Sequence, residues 1–234
     1  RFTERVDPNG IPINPAEIFL HGLLETRRGY CMTLSLLYLI VGDRLNLPLY
    51  GVALPNHFFV RYDDGTFQAN IETTQGGQIF ADSFYRERFL NRGAENLNFF
   101  LTNLKKKQTL GAYFNNVAMT HYRARRAESA VFYLEQSVAL NPKALDVRNN
   151  LANVFSEQKK YDKAIEQYQQ VIKENPNHWQ TYFNLGLAMA EAGREEGAIK
   201  AFRQSAQINP GHVPSHSALV RLYMEQQRWA DALI

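Results

Sequence analysis

The sequence predicts an α+β domain over residues 1–104, followed by an all-α repeat solenoid over residues 105–234. Two observations predict this architecture. The first part changes from helical periodicity to strand alternation near residue 48, and the second part repeats itself every 34 residues. We expect the two parts to join near residues 101–110.

Two helices open the first part. Apolar residues at helical spacing predict a helix over 14–27, with Pro15 near its first turn. After Gly29, residues 31–45 have an apolar stripe that predicts a second helix with this stripe in the core. The stripe consists of Leu34, Leu37, Tyr38, Val41 and Leu45.

Strands follow the two helices. The stretch "LPLYGVALP" (47–55) predicts a short strand, and "HFFVRYDDGTFQANIE" (57–72) predicts a β-hairpin with Asp64-Gly65 as a two-residue turn. Alternation along a strand assigns its side chains to two faces. His57, Phe59 and Arg61 are predicted to point one way on the first strand, and Gln68, Asn70 and Glu72 to share a face on the second.

The second part is a repeat. Asn-Pro recurs at 141–142, 175–176 and 209–210, and a small residue recurs at Ala130, Ala164, Ala198 and Ala232. A 34-residue period with these positions resembles the tetratricopeptide repeat, which has two antiparallel helices per unit. Proline stops the second helix because it has no N–H to donate. The predicted repeats are 111–144, 145–178 and 179–212, with a partial fourth over 213–234.

Asparagines recur on the predicted first helices of the repeats, which line a concave groove in such solenoids. Asn116, Asn150 and Asn184 occupy one slot, and Asn149 and Asn153 lie beside it. An amide offers a donor and an acceptor, as the backbone of an extended peptide requires. The set resembles the asparagine ladder of peptide-binding arrays, which implies a protein or extended peptide as partner. The alternative is surface polarity or hydrogen bonding between repeats.

The one cysteine in the chain stands at a predicted helix start. Cys31 follows Tyr30 there, and His57 begins a strand whose partner strand has Asn70 and Glu72 on the matching face. A helix N-terminus favours negative charge on sulfur, and an imidazole oriented by a third polar group takes up the thiol proton. This order of residue types is the one that a thiol nucleophile requires. The alternatives are a buried thiol that only packs, and a Glu72–Arg61 ion pair across the hairpin.

Residues 27–77 resemble the transglutaminase-like superfamily, most closely the bacterial branch named after the SirB1 protein. The matching stretches are "RRGYCMTLSLLYLIVGDRLNLPLYGVALPNHFFVRY" and "NIETTQGG". The resemblance implies a papain-like α+β core in which Cys31 is the nucleophile and His57 the base.

The third member of the implied triad departs from the family pattern, which usually has Asp before a Gly-rich turn. By its spacing to Gly76-Gly77, Glu72 takes that position, and Asn70 is the substitute. The resemblance therefore implies a thiol-dependent hydrolase or acyltransferase acting on an amide or peptide bond. Because the same branch includes members without the cysteine, the alternative is a non-catalytic scaffold that recognises proteins through the repeat groove.

Composition argues against several other classes. A net charge of +3 gives no basic platform for nucleic acid. One cysteine allows no intrachain disulfide, and no apolar stretch reaches the roughly 20 residues of a membrane-spanning helix. His212 and His216 have a ligand-like spacing without a third ligand, so we predict no metal site, and no cofactor is implied. The sequence does not determine the compartment. Its start at Arg1 and its stop within a repeat lead us to expect a longer parent protein.

Overall fold

The computed structural model describes residues 15–54, 57–90 and 100–232. The chain forms two compact units: the first extends to Arg126 and includes Ala139–Asn141, and the second contains Ala127–Val138 and the residues from Pro142 onward. The first is α+β and the second all-helical, as the sequence predicts. The domain boundary at residues 104 and 105 stays a prediction.

The first unit begins with a 3-10 turn and two helices, which are Pro15–Ile18, α1 (Leu20–Thr26) and α2 (Cys31–Arg44). Four strands follow, which are β1 (Leu49–Leu54), β2 (His57–Asp63), β3 (Gln68–Glu72) and β4 (Gln78–Phe80). They form one antiparallel sheet in the order β1-β2-β3-β4. Two further helices are α3 (Asp82–Phe89) and α4 (Lys106–Arg123).

Helices cover both faces of this sheet. On one face, Tyr85 of α3 packs with Phe59 and Val52 in a buried cluster. α2 lies against β1 and β2, where Gly42 contacts Leu49. Leu49 and Val52 point to opposite faces of β1 by strand alternation, so α2 and α3 lie on opposite sides of the sheet.

The predicted helix over 14–27 is wrong as a single element, and residue 14 lies outside the described residues. Phe19 has an extended backbone (φ −101°, ψ 150°) that separates the 3-10 turn from α1. α1 then folds back closely on the turn. A Cβ at Gly22 would lie 2.1 Å from the Ala16 carbonyl oxygen, so only glycine fits this approach.

The predicted core stripe of α2 is wrong at three of its five residues, although the helix itself is confirmed and Leu34 and Leu37 are half-buried. Val41 and Leu45 are 47% and 63% exposed, and Tyr38 is exposed as well. The buried face of α2 contains the small residues Ser35 and Gly42 instead. A Cβ at Gly42 would lie 2.4 Å from Leu49 Cδ1, so α2 approaches the sheet closely at this glycine, and Met32 and Thr33 are buried near its start.

The hairpin is confirmed, but its predicted two-residue turn is wrong. Asp63 pairs with Gln68, which leaves a four-residue loop between the strands. The Asp64 carboxylate accepts hydrogen bonds from the backbone N–H groups of Thr66 and Phe67 and from the Thr66 hydroxyl. These bonds stabilise the longer loop, and the register shifts by two residues. Because a shift of two conserves the faces, the predicted grouping of side chains is unaffected.

The remaining helices follow the predicted repeat. They are α5 (Ala127–Leu140), α6 (Leu145–Glu157), α7 (Tyr161–Glu174), α8 (Trp179–Glu191), α9 (Glu195–Ile208) and α10 (Val213–Glu225). α6, α8 and α10 begin at the predicted repeat starts, whereas α4 begins at Lys106, before the predicted start at 111. The recurring alanines Ala130, Ala164 and Ala198 are fully buried. A Cβ at Gly186 would lie 2.6 Å from the Phe202 ring, which explains the small residue in that slot.

None of the described helices has the length and apolarity that a membrane crossing requires. Within the same residues, no group of three or more His, Cys, Asp or Glu side chains is arranged to hold a metal ion.

Candidate active site

Three element ends bring the predicted triad residues together. Cys31 is the first residue of α2, His57 the first residue of β2 and Glu72 the last residue of β3. Val60 pairs with Ile71, so Glu72 lies diagonally opposite His57 on the same face of the sheet. Diagonal neighbours on a sheet face are within reach of long side chains.

His57 and Glu72 form a buried pair. Nε2 of His57 lies 2.7 Å from Oε2 of Glu72, and the two side chains are 11% and 2% exposed. The other carboxylate oxygen, Oε1, accepts from the Thr74 backbone N–H at 3.1 Å and from the Thr74 hydroxyl at 2.5 Å. The Tyr85 hydroxyl donates to Oε2 at 3.4 Å. Both carboxylate oxygens therefore have partners, and the carboxylate is fixed in place.

The Cys31 side chain is half-buried and lies close enough to His57 to raise the pKa of the imidazole. Since Nε2 of the imidazole is occupied by Glu72, the nitrogen that remains for the sulfur is Nδ1. This is the arrangement of thiol, imidazole and orienting carboxylate that nucleophilic catalysis uses.

Charge favours the protonated imidazole. Burial lowers the pKa of His57, but its bonds to Cys31 and Glu72 outweigh burial and raise that pKa to about 9. Burial raises the pKa of Glu72, yet the bonds from His57 and Thr74 bring it below its ordinary value. An imidazolium beside sulfur stabilises a thiolate, which is the nucleophilic form of cysteine.

A pair of buried hydroxyl groups holds the start of α2 against the sheet. Ser35 Oγ lies 2.9 Å from Thr73 Oγ1, and Thr73 Oγ1 donates to the Cys31 carbonyl oxygen at 3.5 Å. Ser35 is one turn after Cys31 on the buried face of α2. The two hydroxyl groups thus connect the backbone of Cys31 to the segment that directly follows Glu72.

Asn70 and Arg61 form a separate network. Arg61 is buried and donates to Asn70 Oδ1, to the Leu101 carbonyl oxygen and to Asp82, each at 2.6 Å. Asn70 Nδ2 donates to Asp82 Oδ1 at 2.7 Å. The structure therefore brings Glu72 to His57 and does not bring Asn70 there, and Arg61 pairs with Asp82 rather than with Glu72.

The sequence did not predict three side chains at the site: Thr74, Tyr85 and Phe89. Thr74 directly follows the Glu72–Thr73 pair and accounts for the position of the carboxylate. Phe89 stacks on the His57 ring with centroids 4.3 Å apart. The signal that points to the aromatic pair is the i, i+4 spacing of Tyr85 and Phe89 in "FYRERF".

The asparagines of the repeats take part in hydrogen bonds between helices. Asn184 Nδ2 donates to Asn153 Oδ1 at 3.1 Å, and the Tyr168 hydroxyl donates to the same oxygen at 2.7 Å. Asn149 Oδ1 accepts from the Thr181 hydroxyl at 2.8 Å. Asn150 is half-buried on α6, and Asn116 is exposed on α4. Hydrogen bonding between repeats thus accounts for Asn149 and Asn153, and the peptide-binding role stays a prediction.

Two family models match the chain. The model described as Transglutaminase-like superfamily matches residues 9–113. The model described as Tetratricopeptide repeat matches residues 118–170 and 150–213.

The sequence relatives match short segments. Over 71 residues, 30% of this chain, the sequence is 34% identical to F-box only protein 21 of Mus musculus. Over 46 residues, 20% of this chain, it is 41% identical to UPF0162 protein PM0557 of Pasteurella multocida. These segments span 11% and 17% of the respective relatives.

A solved structure titled "Crystal structure of MamA" is similar over 53% of this chain and 72% of its own chain, with a TM-score of 0.51 and 20% identity. This likeness concerns the fold of the helical repeats alone.

Proposed function

Because the chain has a transglutaminase-like domain over residues 9–113 followed by tetratricopeptide repeats over residues 118–213, we propose that it is a thiol-dependent hydrolase or acyltransferase. Its substrate class would be an amide or peptide bond. The observation that carries the proposal is the His57–Glu72 pair, with 2.7 Å between Nε2 and Oε2, beside the Cys31 side chain.

The proposed reaction has two halves. The Cys31 thiolate attacks the carbonyl carbon, and His57 gives its proton to the nitrogen as the C–N bond breaks, so an amine leaves and a thioester remains. Water then attacks the thioester and releases an acid, or an amine attacks it and forms a new amide. In both cases His57 takes the proton from the attacking group and the thiolate is regenerated.

Glu72 and the start of α2 have supporting roles in this reaction. Glu72 holds the imidazole in one orientation and stabilises its protonated form. The first-turn N–H groups of α2 have no partner within the helix, so they are suited to stabilise an oxyanion on the attacked carbonyl. No cofactor enters any step.

The pH dependence of Cys31 alkylation by iodoacetamide tests the proposal. In the parent protein, we expect the reaction to persist well below the ordinary thiol pKa of about 8.5 and to be lost in His57→Ala. The chain contains one cysteine, so the modified residue is unambiguous. A slow rate that His57→Ala leaves unchanged would overturn the proposal.

The second candidate function is protein recognition, and the tetratricopeptide repeats support a protein-interaction role of this chain. We propose that Asn150 and Asn184, in the same slot of α6 and α8, contact the backbone of an extended peptide. Asn116 in the first unit stays a predicted member of this set.

Affinity for peptides selected from a random library tests the recognition role. The double variant Asn150→Ala/Asn184→Ala is expected to lose most of the affinity, while the lost Asn184–Asn153 hydrogen bond lowers the unfolding free energy by only about 0.5–1.5 kcal/mol. The matched control is Asn115→Ala, next to the recurring slot on α4. Equal affinity of the parent and the double variant would mean that the asparagines serve only the packing of the repeats.

A further inference from the structure

Phe89 is placed to control the orientation of the imidazole. It is the last residue of α3, and its ring lies parallel to that of His57, with centroids 4.3 Å apart and an interplanar angle of 3°. One turn earlier on α3, Tyr85 packs on Phe59 with centroids 4.0 Å apart. α3 thus directs two aromatic rings toward the face of the sheet that contains His57.

The stack restricts the rotation of the imidazole. The χ2 torsion of histidine has a broad, roughly two-fold distribution. Packing around the ring therefore decides whether Nδ1 or Nε2 faces a given neighbour. A turn of the His57 ring would sweep its edge through the volume that Phe89 occupies. Phe89 also covers one face of the His57 ring.

α3 itself is fixed to the sheet at its other end. Asp82, the first residue of α3, accepts from Arg61 Nη2 at 2.6 Å and from Asn70 Nδ2 at 2.7 Å. Tyr85 is fully buried between the two ends. The position of Phe89 over His57 is therefore set by a helix that is held at its start by a part-buried polar contact and in its middle by a buried tyrosine.

We propose that Phe89 is a positioning residue for His57, whose ring it holds with Nε2 on Glu72 and Nδ1 toward Cys31. The inference rests on the proposed thiol chemistry, because that chemistry requires Nδ1 of His57 to face Cys31. Phe89 acts through His57 and not on the reacting atoms.

Three variants test the inference through Cys31 alkylation by iodoacetamide between pH 6 and 8. Phe89→Ala removes the stack, and we expect the His57-dependent rate to fall roughly tenfold, as for a misoriented base. Phe89→Tyr retains the ring and is expected to react at the parent rate. The matched control is Phe84→Ala on the same helix, since Phe84 stacks on Phe80 with centroids 4.2 Å apart. A parent-like rate in Phe89→Ala, or an equal loss in Phe84→Ala, would overturn the inference.

A second readout separates this inference from the proposed function. Two-bond ¹H–¹⁵N spectra report the tautomer and exchange of each imidazole, and His57→Ala assigns the His57 signals among the six histidines. We expect one ordered form of His57 in the parent and in Phe84→Ala, and exchange between forms in Phe89→Ala. If the parent thiol is unreactive, the proposed function fails and the spectra alone decide the role of Phe89. An unchanged His57 spectrum in Phe89→Ala refutes that role even when the thiol is reactive.

Discussion

At the scale of single residues, the site depends on the two nitrogens of His57. Nε2 faces a carboxylate that Thr74 holds on its other oxygen, and Nδ1 is left for Cys31. Asn70 has the same strand face as Glu72 but donates and accepts within the Arg61–Asp82 network. Two polar residues on one strand face therefore have different roles, because their neighbours differ.

Because the two residues have different neighbours, substituting Glu72 should change the pKa of His57, whereas substituting Asn70 should change stability. Glu72→Gln retains the shape and removes the charge, so we expect the pKa of His57 to fall from about 9 towards its ordinary value and alkylation of Cys31 to slow. Asn70→Ala leaves Arg61 short of a partner and should lower the unfolding free energy by about 1–3 kcal/mol with the pKa of His57 unchanged. Histidine NMR titration and urea unfolding measure both. A fall of that pKa in Asn70→Ala as large as in Glu72→Gln would contradict the assignment.

The same pair predicts how stability depends on pH. The pKa of His57 is about 9 when folded and 6.5 when unfolded, so its contribution to the unfolding free energy is complete below pH 6.5 and is lost as the pH rises through 9. The difference is on the order of 3 kcal/mol. Urea unfolding of the parent and of His57→Gln at pH 6, 7.5 and 9 measures it. The parent's advantage is expected to shrink towards pH 9, and an advantage that does not change with pH would be inconsistent with the raised pKa.

At the scale of elements, α2 packs on the sheet through a face that includes the small residues Ser35 and Gly42, while Ile40 and Val41 are exposed. Ser35 and Gly42 allow the helix to lie close to β1 and β2, and this close approach brings Cys31 to the end of the sheet where His57 begins. The hydroxyl contacts of Ser35 and Thr73 complete the attachment. The position of the thiol is thus a consequence of how closely α2 packs.

Substitutions on the two faces of α2 should differ sharply. Gly42→Leu places a side chain where Leu49 already lies and is expected to cost about 1–3 kcal/mol of unfolding free energy. Leu45→Gln, on the exposed face, should change it by less than about 0.5 kcal/mol. Urea unfolding of both variants checks the contrast. A larger loss of unfolding free energy in Leu45→Gln than in Gly42→Leu would mean that the apolar stripe of α2 faces the core after all.

At the scale of the molecule, two compact units each have their own core. In the repeats, Phe202 is fully buried and packs among residues of α9 and α10. In the α+β unit, Phe59 is fully buried with Val52 and Tyr85. The fold thus combines an α+β domain with helical repeats, each with its own buried core.

Stability in a repeat array is a sum of local terms and nearest-neighbour interfaces. Phe202→Ala is therefore expected to cost about 3–5 kcal/mol and to accelerate hydrogen exchange most in α8, α9 and α10. Phe59→Ala, the matched change in the other core, should accelerate exchange most in β1, β2 and α3. Hydrogen exchange with mass spectrometry locates both effects. Acceleration spread evenly over the whole chain by either variant would argue against separate cores.

Much of the architecture is readable from periodicity. The 34-residue interval predicts the starts of α6, α8 and α10, and strand alternation predicts that His57 and Glu72 share a face. Such patterns follow from the geometry of a single helix or strand, so they can be recognised in one sequence without an alignment. The hairpin register shifts by two residues, and because side chains alternate with a period of two, the predicted faces are unchanged.

The sequence by itself determined the repeat, the hairpin and the order of thiol, imidazole and carboxylate along the chain. Tertiary structure alone decided that Glu72 rather than Asn70 meets His57, that Ser35 and Gly42 are buried while Val41 and Leu45 are exposed, and that Phe89 covers the imidazole. These outcomes depend on how closely elements distant in sequence approach each other. Close approach is set by the fit of side-chain volumes across an interface, which periodicity along one element does not encode.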